Sequence, residues 1–540
     1  MRCNSRLVYG FLLGGSLLVL ASAGPGCASS PSGSKAGTDT DGTGNGSFNS
    51  GGGLGNNSTG SASCNTGLCL KRVTCPDGGD TTVSGVVYDP AGKVPLYNAF
   101  VFVPNAPLDA IPPGASCDRC DGTSNVYSGS PLSYAQTDDT GHFKLPNVPV
   151  DANVPLVIQV GKWRRENVTV SVEPCQDNVI TDNNLTRLPK NHTEGNIPRI
   201  AITTGAADTM ECLPRRMGID DSEFSVAGGP GRIQLFRGGD RYQRDANGTI
   251  QNDTNGNPIV VQSATTAFDG DHGGGDLAPA TDLWSTKEAL SAYDVVMLSC
   301  EGETDPETKP PSSLAALYEY EKAGGRVFAS HWHRYWFSDG PDPVPSVATG
   351  GSHNGWKSDS AVHNGAWQSF NSDGTAVQTA TINDKFTKGA AFADWLQTVG
   401  ATKTRGELEI SAARDDLNSV DHGKAQDWAT IPQYHYQAVD SDGNIKTVAA
   451  NPAPAVQFMS YNAPIGAPDD QVCGRAVFTD LHVSSGAHND SVGANKPFPS
   501  GCDANMDLSP EEKALEFMLF DVSSCVSSDN GAPPPPVRIH

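Results

Sequence analysis

Between residues 81 and 172, apolar and polar side chains alternate between turn signals. Thr82-Val83-Ser84-Gly85-Val86-Val87-Tyr88 predicts a strand, closed by the turn Asp89-Pro90-Ala91-Gly92. Residues 99–103 predict a second strand, which Pro104 ends. A turn at 137–141 leads into His142-Phe143-Lys144-Leu145, and residues 156–160 and 168–172 complete the set. Short strands at this spacing predict an all-β sandwich over residues 64–190.

After Arg187 the pattern changes. Residues 197–203 and Tyr293-Asp294-Val295-Val296-Met297-Leu298 are nearly continuous apolar runs, as expected of strands covered on both faces. A helix follows, capped by Ser312 or Ser313, with Leu314, Leu317 and Tyr318 on one face and Gly324-Gly325 as its stop. Arg326-Val327-Phe328-Ala329-Ser330 predicts the next strand. Phe392, Trp395, Leu396 and Val399 repeat with helical spacing before Gly400. Ala476-Val477-Phe478-Thr479 is a late strand, and Ser509-Pro510-Glu511-Glu512 opens a last helix as a capping box. Strands alternating with helices predict an α/β domain over residues 195–527 with a mostly parallel sheet. Such sheets carry their sites beyond the carboxyl ends of the strands. The residues at those positions are Thr203 and Thr204; Cys300, Glu301 and Glu303; Ser330, His331 and His333; and Asp480 and His482.

The amino terminus adds an address. Arg2 and Arg6 precede an apolar stretch from Leu7 to Leu20, followed by Ala21-Ser22-Ala23. This is the grammar of an export signal, and the run is short for a membrane span. Gly24-Pro25-Gly26-Cys27 then resembles a bacterial lipoprotein start, although Gly24 stands where that family usually has Leu. The resemblance implies a signal over residues 1–27, lipidation of Cys27, and anchoring at the outer membrane or cell surface. Cleavage after Ala23 is the alternative and implies a secreted chain. Residues 28–63 are almost entirely small and polar, which predicts a disordered tether spanning roughly 30–35 Å. Residues 528–540 form a Pro-rich tail.

Charge and cysteine content narrow the partners. Lys and Arg total 37 against 61 Asp and Glu in 540 residues, a net charge of −24. That balance excludes a nucleic-acid partner, which needs a basic face. Of 13 cysteines, setting aside Cys3 in the signal and Cys27 leaves 11, so in an oxidising compartment one is expected to stay free or to pair between chains. Cys117-Asp118-Arg119-Cys120 lacks a second CxxC at zinc spacing and is expected to be a local disulfide. Cys502 and Cys525 flank the last helix and are expected to pair. Cys300 is expected to be a disulfide half or a buried thiol.

Two resemblances give these regions family names. Ser84-Gly85-Val86-Val87-Tyr88-Asp89, Thr137-Asp138-x-x-Gly141-x-Phe143 and Leu145-x-x-Val148-Pro149 resemble the carboxypeptidase regulatory-like, transthyretin-like sandwich, interrupted by an insert at 106–131. Domains of that family are accessory and carry no catalytic residues. Tyr293-Asp294-Val295-Val296, Gly324-Gly325-Arg326-Val327-Phe328 leading to His331, and Gly474-Arg475-Ala476-Val477-Phe478 leading to His482 resemble the trehalose-utilisation (ThuA-like) family. This implies a flavodoxin-like, class I glutamine amidotransferase-like fold, with a large irregular insert at 340–380. The whole is then multidomain, an immunoglobulin- or transthyretin-like sandwich followed by an α/β body. The amidotransferase nucleophile is missing: the corresponding segment holds Ser330 between Phe328 and Trp332, where an elbow needs small neighbours.

The candidate site follows. On an extended strand His331 and His333 point the same way and can chelate a divalent metal, the one cofactor the sequence suggests. By the family resemblance His482 approaches from a neighbouring strand, with Glu301 or Asp480 adding a carboxylate. His331, His482 and Glu301 are thus the candidate catalytic groups. Ser330, Trp332, Asp480 and Thr204 are candidate ligand-binding residues, and His331 and His333 are candidate metal ligands. The alternative is a metal-free polar and aromatic surface that is packed or binds sugar. The remaining loop histidines, His488 among them, are expected to be solvated. Function is expected to be non-catalytic, an envelope lipoprotein binding a glycan or a protein. The alternative is an enzyme acting on carbohydrate or a related small molecule at the histidine edge.

Overall fold

The computed structural model describes residues 67–120, 127–245, 249–338, 346–350, 377–439, 442, 444–451, 453–483, 488–503 and 507–530. The expected signal, Cys27, the tether and residues 531–540 lie outside them. The described chain is largely β, arranged in several sheets. No helix among the described residues is long and apolar enough to cross a membrane.

The first part holds two sheets. One orders His142–Leu145, Thr82–Val86 and Asp177–Val179; the other orders Pro131–Gln136, Phe100–Pro104, Asp151–Val160, Trp163–Val172 and Gly195–Asn196. Val83, Val101, Val103, Phe143, Leu145, Leu156 and Val168 bury their side chains in one core, as the alternating pattern dictates. The strand Pro131–Gln136 begins where the expected insert ends, was not among the predicted strands, and pairs with Phe100–Pro104.

The second part is built on a ten-stranded sheet. Its parallel half runs Phe224–Val226, Ile233–Arg237, Ile200–Thr204, Val295–Leu298, Arg326–Ser330 and Gly474–Thr479. The last four of these are buried at every position, which explains their continuous apolar runs. The antiparallel half continues with Ala455–Ala463, Gln426–Ile431, Val377–Ile382 and Glu407–Ser411. The α/β expectation did not include this half. The helix expected to start at Ser312 or Ser313 starts at Pro311, whose fixed φ suits the first helical position. The helix Pro510–Ser523 has the expected capping box between Ser509 and Glu512.

The two parts share a core. Val83 and Leu156 belong to the same buried cluster as Ile200, Trp395 and Phe517. Trp395 Nε1 donates to the Pro95 carbonyl at 2.7 Å, and Lys162 Nζ reaches Asp294 Oδ1 at 2.6 Å. The 106–131 segment is clamped to the second part by two disulfides, Cys117–Cys473 and Cys120–Cys525. The local Cys117–Cys120 bond is therefore corrected. So is the expected Cys502–Cys525 bond, because Cys502 pairs with Cys212. Gly324 permits the clamp: its φ is +106°, and a Cβ there would lie 2.1 Å from the Ser116 carbonyl oxygen. Cys75–Cys175 ties two segments of the first part together. The end of the described chain is also fixed, since Asp529 lies 2.9 Å from Arg475 and 3.2 Å from Lys388.

Candidate functional site

The site begins where the strand Arg326–Ser330 ends. Ser330 is extended, but His331 has φ +52°, and residues His331–Arg334 turn as a 3₁₀ helix. A left-handed conformation costs a non-glycine residue roughly 1–2 kcal/mol, so packing around His331 must impose it. The strand turns sharply here, and His331, not Ser330, occupies the strained position. The turn also breaks the alternation expected of an extended strand. His331 and His333 therefore face different neighbours, which corrects the expected His331/His333 chelate.

His331 lies among polar groups from separate segments. Its Nδ1 is 2.8 Å from Cys300 Sγ, and its Nε2 is 2.6 Å from Asp416 Oδ2. Its ring centroid is 4.6 Å from that of His482, edge to face. The Asp416 amide donates to Asp480 Oδ2 at 3.0 Å. All five residues are buried.

Their electrostatics are tightly linked. Burial pushes both aspartates toward the neutral form. The neighbouring His331 overrides this for Asp416 and holds it below the ordinary carboxylate range. Asp480 is pushed well above that range by burial and then by the Asp416 charge. The two carboxyl groups also meet side chain to side chain, which requires a proton or a cation between them. His482 is held neutral by burial and then by His331, and its Nε2 is buried without a hydrogen-bond partner. Asp480 Oδ1 is likewise buried and unpartnered. Two sets of donor atoms lie close enough together to hold a metal ion: Cys300, His331 and His482, and His331, Asp416 and Asp480.

His333 belongs to a different network. Its Nε2 donates to the Ser299 carbonyl at 2.9 Å, and its Nδ1 accepts from Trp336 Nε1 at 2.9 Å. Both ring nitrogens are used, and burial drives its pKa down to about 4. Glu301 lies 3.9 Å from His333 and accepts from the Gly239 amide at 2.7 Å and from Lys309. Glu301 and Lys309 are both fully buried, so this ion pair fixes the loop after Val295–Leu298. Asp305, in the same acidic group, is raised to about 7 by burial and then by Glu301.

The structure thus brings together His331, His482 and Asp480 of the expected site, and sets Glu301 and His333 apart. Trp332 is half-buried, with its ring edge-on to His331 at 5.5 Å. Ser330 is buried and donates to the Leu298 carbonyl at 3.3 Å; Thr204 donates to the Thr265 carbonyl at 2.8 Å. Both hydroxyls serve backbone groups. His488, expected to be solvated, is buried with Nε2 2.7 Å from Glu512.

Two members of the centre were not among the candidate catalytic, binding or metal residues. Asp416 follows Arg414 and Asp415 in a segment between strands, and nothing in that local pattern marks it. Cys300 did leave a signal: it follows a strand, and the odd cysteine count leaves one cysteine free or paired between chains. Cys300 is the free cysteine among the described residues, while Cys69 and eight others are in disulfides. Comparison with known proteins finds neither a family model nor a curated protein that matches the chain.

Proposed function

We propose that this chain is an exported, lipid-anchored envelope enzyme acting on carbohydrate or a related neutral small molecule, with a divalent metal as cofactor. The observation that carries it is convergence at the strained His331 turn. Cys300, His331, Asp416 and the Asp480/His482 pair come from four segments to one point at the carboxyl end of the parallel strands. A packing role alone gives no reason to strain His331 or to leave His482 Nε2 and Asp480 Oδ1 without partners. Strongly perturbed groups gathered in this way favour acid–base or metal chemistry.

The address rests on the export grammar of residues 1–27, and four disulfides agree with folding outside a reducing cytoplasm. The carbohydrate class rests on the ThuA-like resemblance, as does the flavodoxin-like assignment of the parallel half. The test is turnover of a panel of neutral glycosides and sugar derivatives by the mature chain. His331→Ala and His482→Ala are expected to abolish it while melting remains cooperative. Sugar or protein binding without turnover, unchanged in both variants, would replace this proposal with the non-catalytic binding role.

A further inference from the structure

We infer that His331, Asp416 and Asp480 form a three-ligand site for a first-row divalent metal such as zinc or manganese, with His482 serving its open side. The inference rests on the functional reading of this centre. It goes further in choosing between two overlapping donor sets and in giving each residue a part.

The donor atoms make the choice. The His331/Asp416/Asp480 set comprises one imidazole and two carboxyls, all buried and within 4.8 Å of one another. Two carboxylates would balance the charge of a divalent cation, which matters in a site shielded from water. Asp480 Oδ1 has no hydrogen-bond partner, although it is buried. Asp416 Oδ2 is buried and lies 2.6 Å from His331 Nε2. A cation among these three groups satisfies all of them together. An imidazole ligand favours zinc, iron or manganese over calcium, and calcium also needs more oxygen ligands than this set supplies.

The competing set uses Cys300 with His331 and His482. It spends the His331 nitrogen that faces the thiol and leaves Asp480 Oδ1 buried without a partner. Cys300 Sγ already accepts from the Gly302 amide at 3.4 Å and touches His331 Nδ1. Cys300 is therefore a positioning residue: it holds the ring from behind while Nε2 faces the carboxylates. His333 has both nitrogens occupied and takes no part. Three protein ligands leave a coordination position for water or substrate. His482 is beside the His331 ring, and its unpartnered Nε2 is the group available to hydrogen-bond an occupant of that position.

The test uses the mature chain, stripped with chelator and reloaded with zinc, manganese, cobalt, calcium or magnesium alone. About one equivalent of zinc or manganese is expected by elemental analysis after gel filtration, and none of calcium or magnesium. Asp416→Asn and Asp480→Asn are expected to weaken zinc binding at least 10-fold, and His482→Gln to retain the metal. Cobalt reports on the wild-type protein without any substitution. A cobalt complex lacking a thiolate charge-transfer band supports the proposal, and one showing that band assigns the metal to the Cys300 set and overturns it. Failure of the folded wild type to retain zinc or manganese also overturns it. Metal retained without turnover of any sugar would leave this site standing and remove the enzymatic proposal; turnover unaffected by chelation would do the reverse.

Discussion

The thiol of Cys300 lies 2.8 Å from Nδ1 of His331, and both side chains are buried at the ends of adjacent parallel strands. Burial pushes the thiol pKa well above its ordinary value, so Cys300 is a neutral group held against the histidine. Iodoacetamide is expected to leave Cys300 unlabelled in the native protein and to label it fully in denaturant without reductant. Peptide mass mapping reads the result. Rapid labelling of the native chain would show a reactive thiolate and exclude the positioning role.

The disulfide pattern gives a second expectation. Non-reducing peptide maps should contain Cys117–Cys473, Cys120–Cys525 and Cys212–Cys502, and should lack any Cys502–Cys525 species. Removing the Cys120–Cys525 bond with a double Ser substitution is expected to lower stability by roughly 2–5 kcal/mol. The bond spans 405 residues, so its loss frees the unfolded chain considerably. Denaturant midpoints under oxidising conditions check the magnitude.

Lys309 and Glu301 form a pair with almost no exposure to water. Lys309→Met would leave the Glu301 charge buried beside His333, and is expected to cost about 3–5 kcal/mol. The double variant Lys309→Met with Glu301→Gln is expected to recover a large part of that loss. A double-mutant cycle measured by chemical denaturation gives the coupling. A loss in the double variant equal to the sum of the losses in Lys309→Met and Glu301→Gln would show that the pair is not coupled.

A pH dependence follows from Glu321. Both carboxyl oxygens lie 2.9 Å from the Tyr461 hydroxyl, and burial raises the pKa from 4.5 to about 8. A raised folded pKa means that the unfolded chain releases this proton first as pH rises. The contribution to stability is therefore complete below about pH 4.5 and is lost as pH rises through 8. Glu321→Gln keeps a neutral group at all pH values. Relative to wild type, it is expected to gain roughly 2–4 kcal/mol between pH 5 and pH 9. Denaturation midpoints of both proteins at those two pH values test it, and parallel pH profiles would refute it.

Much of the fold was legible because its signals are local. The buried parallel strands announce themselves as apolar runs, Ser509 and Glu512 cap a helix within four residues, and Val83, Phe143 and Leu145 follow the strand period. The antiparallel half was legible in principle: Glu407-Leu408-Glu409-Ile410 alternates exposed and buried positions. At the site, position after a strand picked out His331, Asp480 and His482, which the structure brings together. The same logic failed for His333, because one left-handed residue at His331 turned the backbone and ended the alternation.

By itself, the sequence determined the local elements, the oxidising address, and the need for one unpaired cysteine. Each follows from composition, short-range periodicity or parity. Only the tertiary structure decided which cysteine that is, which cysteines join the two parts, and that Asp416 belongs with His331. These are contacts between residues 31 to 405 positions apart, set by how the sheet orders its strands. No local pattern of hydrophobic and polar residues encodes that order, because many strand arrangements bury the same faces equally well.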